Sequence, residues 1–356
     1  MDFGLNFFPV FTPDHKPAWQ FYREVIALSR LAEEYGFEHV QTVEHYGTPY
    51  GGYSPDPVTL LSAIAARTKT IRVATGAVIP AFTHPLQLAS KLVMLDNISE
   101  GRLDVGFGRA WLPQEFGWLG VSLDESRRRF NEGIEACRRL WSEQDVVFNG
   151  EFHSFGPVTL SPRPVQQSGP PVFVASASSP DSCAAAGKAG HHLQVVPTIV
   201  GHDVVVKMLA AYRAAWADAG HAKGAARIQL KYNCYLSQDR EAALRRGEEL
   251  ENNHVVLMSE AAEGWARTQS DQYEGYDKLV HKAREYDFRK ALANGKILAG
   301  TPSDVVAQLD TAREAFGDDL CISIQVNPGY TEYRDAEQTL RLFAEEVAPL
   351  FKPAER

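Results

Sequence analysis

Eight strand-like runs alternate with helix-like stretches along this chain, and that alternation restricts its fold more than any other feature. The strand runs are "FGLNFFP", "EHVQTVEH", "IRVATGAVIP", "RLDVGFG", "PPVFVAS", "HLQVVP", "RIQLKYNCYLS" and "LCISIQV". Between most of them lie helical patterns such as "PAWQFYREVIALSRLAEEYGF", whose apolar positions follow one helical face and whose Gly36 stands where a C-terminal glycine belongs. Strands separated by helices are parallel strands with right-handed crossovers. A closed (β/α)8 TIM barrel and an open doubly wound sheet both meet that requirement. A single run of 356 residues with no break in composition favours the α/β barrel as one domain over residues 1–356.

Two segments exceed the minimal barrel. Residues 143–170 read as a hairpin and a proline-rich connector, and residues 239–300 as a charged, mostly helical insertion resembling a lid. A capping box of Ser122 and Glu125 is expected to open the helix "SLDESRRRFNEGIEACRRLW".

Composition excludes several classes. A net charge of −9 argues against a nucleic-acid footprint, which needs a clustered basic surface. No apolar stretch is long enough for a membrane span, and "MDFGLNFFPV" lacks the basic start of a signal peptide. The 4 cysteines form no CxxC pair and read as buried thiols of a reducing compartment, so a cytoplasmic location is expected. No histidine and cysteine spacing suits zinc, and no metal is expected.

In a barrel of this kind, chemistry sits at the C-terminal ends of the strands. Reading just past each strand gives Phe8, then His45 and Tyr46, then His84, then Arg109 and Trp111, then Ser176–Ser179, then Asn327. This is an aromatic pocket with histidines, an arginine and a serine-rich turn, suited to a flat ligand with an anionic end. In "SASSPDS", Ser179 is a natural N-cap and Pro180 the first helical residue. Free N–H groups at a helix start attract phosphate, although this sequence would cap a helix with no ligand at all. "GTPSD" at 300–304 reads as simple capping. Arg109 and Arg127 could add two guanidiniums to the first turn. "GFGRAW" starts like a dinucleotide fingerprint but lacks its third glycine, so Gly106 and Gly108 are read as relieving crowding in the barrel. An imidazole titrates at ~6.5 in model peptides, so a histidine placed like His45 can move a proton at neutral pH.

Several stretches resemble the bacterial luciferase-like monooxygenase family: "VEHY", "RTKTIRVATGAVIPAFTHPLQLASKLVMLDNISEGRLDVGFGRAW", "PPVFVASASS", "GTPSDVV" and "LRLFAEEVAPLF". The resemblance implies a flavin-dependent monooxygenase that uses reduced FMN and O2, through a C4a-peroxyflavin, on a small organic substrate. Alternatives on the same barrel are a deazaflavin-dependent hydride transferase and a non-catalytic flavin-binding protein. By resemblance, His45 is catalytic. By the same resemblance, Arg109, Arg127, Ser176 and Ser179 fall where the family holds the flavin phosphate, Ala175, Ala177 and Ser178 are expected beside them among the cofactor-binding residues, and a non-prolyl cis peptide near Thr75–Gly76 is expected to touch the flavin. Phe8, Tyr46, His84, Trp111 and Asn327 form the substrate pocket. A separate NAD(P)H-dependent flavin reductase and a homodimer through the second and third helices are implied too.

Overall fold

The computed structural model describes residues 1–351, and residues 352–356 of the expected domain lie outside the described residues. Eight parallel strands close into a barrel in the order β1 (Asp2–Phe7), β2 (His39–Thr42), β3 (Arg72–Thr75), β4 (Leu103–Phe107), β7 (Val172–Ser176), β8 (His192–Val195), β9 (Ile228–Leu236) and β11 (Cys321–Gln325). The β8–β9 and β11–β1 pairings complete the circle. These are the eight runs read from the sequence, trimmed by a few residues, except that β1 starts one residue earlier, at Asp2. One short strand, β10 (Leu298–Gly300), was missed at the end of the charged insertion, where it pairs with the second half of β9. The hairpin β5 (Val146–Asn149) and β6 (Ser154–Val158) lies within 143–170.

Helices α1 (Ala18–Glu34), α2 (Pro57–Ala65), α3 (Pro85–Ile98), α5 (Ser126–Ser142), α6 (Pro180–Lys188), α7 (His202–Asp218), α11 (Pro302–Phe316) and α12 (Tyr333–Leu342) surround the barrel. A short α4 (Pro113–Trp118) follows β4, and the charged insertion carries α8 (Arg240–Ala262), α9 (Leu279–Arg284) and α10 (Phe288–Ala293). Gly36 ends α1 with φ of 68°, a conformation glycine adopts without a Cβ penalty. The expected capping box does not form: Ser122 caps a short 3-10 turn by accepting from Asp124 N, and Glu125 pairs forward with Arg129. Two overlapping turns compete for one serine, and the shorter one takes it. At the start of α11 a real capping box joins Thr301 and Asp304, which accounts for "GTPSD" without a ligand. Among the described residues, no helix is long and apolar enough to cross a membrane.

The strands bury side chains on both faces. Outward positions carry the aliphatic and aromatic core that packs against the helices, with Leu5, Val40, Val73, Val105, Leu193 and Ile322 fully enclosed. The inward face is polar instead. Gln41 donates to Ser323 Oγ at 2.6 Å, Gln194 to Gln229 Oε1 at 3.0 Å, and Asn6 to Gln325 Oε1 at 3.0 Å. Each of these buried side chains finds at least one partner, although Asn6 Oδ1 and Gln41 Oε1 are buried without one. Gly106 belongs to this packing, since a Cβ there would lie 2.2 Å from Thr75 O.

The two ends of the barrel differ. At the N-terminal end, Asp104 accepts from Arg72 Nη2 at 2.6 Å and from Arg227 Nη2 at 2.8 Å, and Arg227 also donates to Glu38 at 2.7 Å. Burial alone would raise the Asp104 carboxyl, but the two guanidiniums outweigh it and hold the group below the usual carboxylate range. Glu38, His39 and Cys321 meet beside this network with their ligand atoms within 4.8 Å of one another. Arg227 already satisfies Glu38, so the charge is balanced without an ion.

Candidate active site

At the C-terminal end of the barrel the loops enclose a cavity of about 1460 Å³. Three groups of side chains define its chemistry.

The first is cationic. Arg109 lies just past β4, and Arg127 is the second residue of α5. Both reach the same residue: Arg109 Nη2 donates to Gln272 O at 2.8 Å and Arg127 Nε to Gln272 Oε1 at 3.3 Å. The Arg109 guanidinium also lies 4.3 Å from the centre of the Tyr273 ring. Its Nη1 is buried with no hydrogen-bond partner. Burial lowers the Arg109 pKa from its ordinary value, and the nearby Arg127 charge works in the same direction. Among the described residues neither arginine forms an ion pair. Ser176–Ser179 line the same cavity at the start of α6, where Ser179 Oγ accepts from Ser182 N at 3.2 Å. Ala175 and the Gly76 backbone also border it.

The second group handles protons. His45 Nδ1 lies 3.0 Å from Glu115 Oε1, and the same oxygen accepts from Tyr46 N at 2.8 Å. Glu115 is buried on α4. With Glu115 Oε1 as the acceptor, the hydrogen of this contact belongs on Nδ1, and Nε2 is the ring nitrogen that can exchange a proton. Beside it, burial pushes the Glu44 carboxyl up to about 7, against the bonds it accepts from Tyr46 OH at 2.6 Å and Ile79 N at 2.9 Å.

The third group is aromatic. Phe8 packs on Tyr50 at 4.6 Å and on His45 at 5.4 Å between ring centres, and Tyr50 meets Trp111 edge-on at 5.9 Å. His254 and Met258, on α8, complete this wall from the charged insertion.

The sequence-derived site is brought together in large part. His45, Gly76, Phe8, Arg109, Trp111, Arg127 and the Ala175–Ser179 stretch border one cavity. Four residues do not. Thr75 is enclosed in the barrel wall, bonded to Gly106 O at 2.8 Å. Tyr46 turns its hydroxyl onto Glu44. His84 caps α3 by accepting from Leu86 N at 3.2 Å, and its ring packs 4.9 Å from that of His153 in the hairpin. Asn327 is buried outside the cavity. The non-prolyl cis bond is Gly76–Ala77, one residue later than expected. Sequence reasoning passed over Glu115, Tyr50, Lys231, Glu251 and His254. One signal was available: in "RIQLKYNCYLS", Gln229, Lys231 and Asn233 recur every second residue on an otherwise apolar strand.

The family model of the luciferase-like monooxygenases matches residues 1–319. The chain belongs to this family. A monooxygenase from Streptomyces bottropensis of known crystal structure is 47% identical, with 99% of this chain and 100% of that one superposed at a TM-score of 0.88. The oxygenating constituent of 3,6-diketocamphane monooxygenase from Pseudomonas putida, solved with FMN, shares the fold at a TM-score of 0.80 and 21% identity, covering 99% and 100% of the two chains. The oxygenase component of the flavin-dependent trigonelline monooxygenase of Acinetobacter baylyi is 34% identical over 57% of this chain. That match spans only 56% of the Acinetobacter protein.

Proposed function

We propose that this chain is the oxygenase component of a two-component FMN-dependent monooxygenase. It receives reduced FMN from a separate NAD(P)H-dependent flavin reductase and uses O2 to oxygenate a small organic substrate. The observation that carries this reading is Arg109: a buried guanidinium with one unpartnered nitrogen, a second arginine beside it, and a helix start in the same cavity. A site with two cations and no carboxylate partner is built for an anion, and a phosphate monoester fits its donors.

In this reading Arg109, Arg127 and the Ser176–Ser179 turn hold the FMN phosphate, and Gly76 borders the ring. When bound, reduced FMN supplies the two electrons that let one atom of O2 enter the substrate while the other leaves as water. Glu115 keeps the His45 imidazole in one tautomer and orientation. His45 Nε2 gives or takes the proton that the oxygen transfer requires. Phe8, Tyr50 and Trp111 keep bulk water from the reacting atoms. The insertion that carries Gln272, Tyr273 and His254 acts as the lid. A homodimer through α2 and α3 and a cytoplasmic location belong to the same reading. The exposed Met94 and Ile98 of α3 support the first, and four free buried cysteines the second.

His45→Ala tests the core of this proposal. The variant is expected to bind FMN normally and to lose about 10²–10⁴-fold in coupled turnover, the usual worth of a positioned acid or base. Unchanged turnover removes His45 from the mechanism. Rapid mixing of the reduced FMN complex with O2 separates oxygenation from hydride transfer, which consumes no O2.

A further inference from the structure

Lys231 stands in the middle of β9, and the mechanism above does not use it. It is 6% exposed, faces inward and borders the cavity together with Gly76. Its Nζ donates to Gly76 O at 2.7 Å and approaches Gln194 Oε1 at 3.5 Å. Once protonated, the amine has three hydrogens, so the ammonium form has one donor left over for a ligand.

No charge answers it. Its inward neighbours along and across the strands are Gln229, Asn233, Ser323 and Gln194, all uncharged. His39 and Glu251, the titratable groups bonded to its inward neighbours, engage other partners. His39 Nε2 lies 3.2 Å from Gln41 Nε2, and Glu251 accepts from Asn233 at 2.8 Å. Burial alone pushes the Lys231 amine down to about 7. A methionine or leucine would fill this space without desolvating a cation. The chain keeps a lysine there, at a place where an anion can reach it from the cavity.

The phosphate of FMN is claimed elsewhere, by Arg109 and Arg127. Apart from the phosphate, FMN gains a negative charge only on reduction, when the pyrimidine N1–C2=O edge becomes anionic. The oxidised ring is neutral. We propose that Lys231 is the counter-charge for the reduced flavin ring and makes this pocket prefer reduced over oxidised FMN. The proposal rests on the flavin reading above. It gives an oxygenase that borrows its flavin a means to take up the loaded form and release the spent one.

The test compares both redox forms. The full chain and Lys231→Met are titrated with oxidised FMN in air and with photoreduced FMN without oxygen. Lys231→Met is expected to weaken the reduced form by about 10–100-fold, the worth of one charge-assisted hydrogen bond, and the oxidised form by less than about threefold. By linkage the midpoint potential of bound FMN then falls by about 30–60 mV, at 29.6 mV per tenfold for two electrons. Normal binding of oxidised FMN shows that the variant is folded. Calorimetry of the unaltered protein in two buffers at about pH 8 gives a second readout. Reduced FMN is expected to take up about one more proton than oxidised FMN, and Lys231→Met to abolish the difference. Equal weakening of both forms, no weakening, or equal proton uptake overturns the role of Lys231 and leaves the flavin reading intact. Failure of the unaltered chain to bind FMN in either form overturns both.

Discussion

Two clusters of arginines sit at opposite ends of one barrel, and their electrostatics are opposite. At the N-terminal end, Arg72 and Arg227 converge on Asp104 and Glu38, and each guanidinium is spent on carboxylates. At the C-terminal end, Arg109 and Arg127 share only the neutral Gln272, and Arg109 keeps a buried nitrogen unpartnered. The same residue type therefore does two jobs. A neutralised cluster holds elements together, and in the proposed reading an unneutralised one takes an anionic ligand. The arginine alone does not tell these apart, and the presence or absence of a facing carboxylate does.

The largest effect is expected from breaking the closed cluster. Asp104→Asn leaves two guanidiniums facing a neutral amide and should cost about 3–5 kcal/mol in urea unfolding, with FMN affinity at saturating folded protein unchanged. Its pH dependence sharpens the comparison. Asp104 and Glu38 both titrate below their unfolded values, so their stabilisation is present above about pH 4 and is lost as pH falls through the folded values. Melting curves from pH 7 to pH 3 should show that loss in the unaltered protein and a flatter profile in Asp104→Asn.

Arg109→Met tests the open cluster and should do the reverse. FMN affinity should fall by about 10–100-fold, while unfolding free energy shifts by no more than about 1 kcal/mol, because the cation has no carboxylate to lose. Riboflavin, which lacks the phosphate, should bind both forms equally. Equal loss of riboflavin would place the arginine at the ring and dissolve the contrast. The smallest effect is expected at Ser179→Ala. Its cap on Ser182 N is worth about 1 kcal/mol of helix stability, measured by thermal melting.

How much of this was legible from the chain depends on periodicity. The barrel strands are short apolar runs between helical patterns, so the local sequence marked all eight. β10 escaped because its three residues are too few to show any period. Arg109 and Ser176–Ser179 were legible as cavity residues because they follow strands directly, whereas Arg127, on a helix, came only from the family resemblance. Tyr46 and His84 were misplaced for one reason: a position after a strand fixes the backbone, and not the direction of the side chain. Tyr46 turned to Glu44, and His84 was taken by the start of its own helix. Lys231 and Glu115 were passed over because their partners, Gly76 and His45, are distant in sequence.

Arg109 opens the stretch "RAWLPQE" and Glu115 closes it on α4, so in the proposed reading seven consecutive residues join the arginine that takes the phosphate to the carboxylate beside His45. The distance from anchor to proton relay is thus written into one short piece of covalent chain. The insertion touches this same piece, through Gln272 on Arg109 and Trp265 on the Trp111 carbonyl, so an insertion remodelled for another substrate has to keep those two contacts to preserve the spacing.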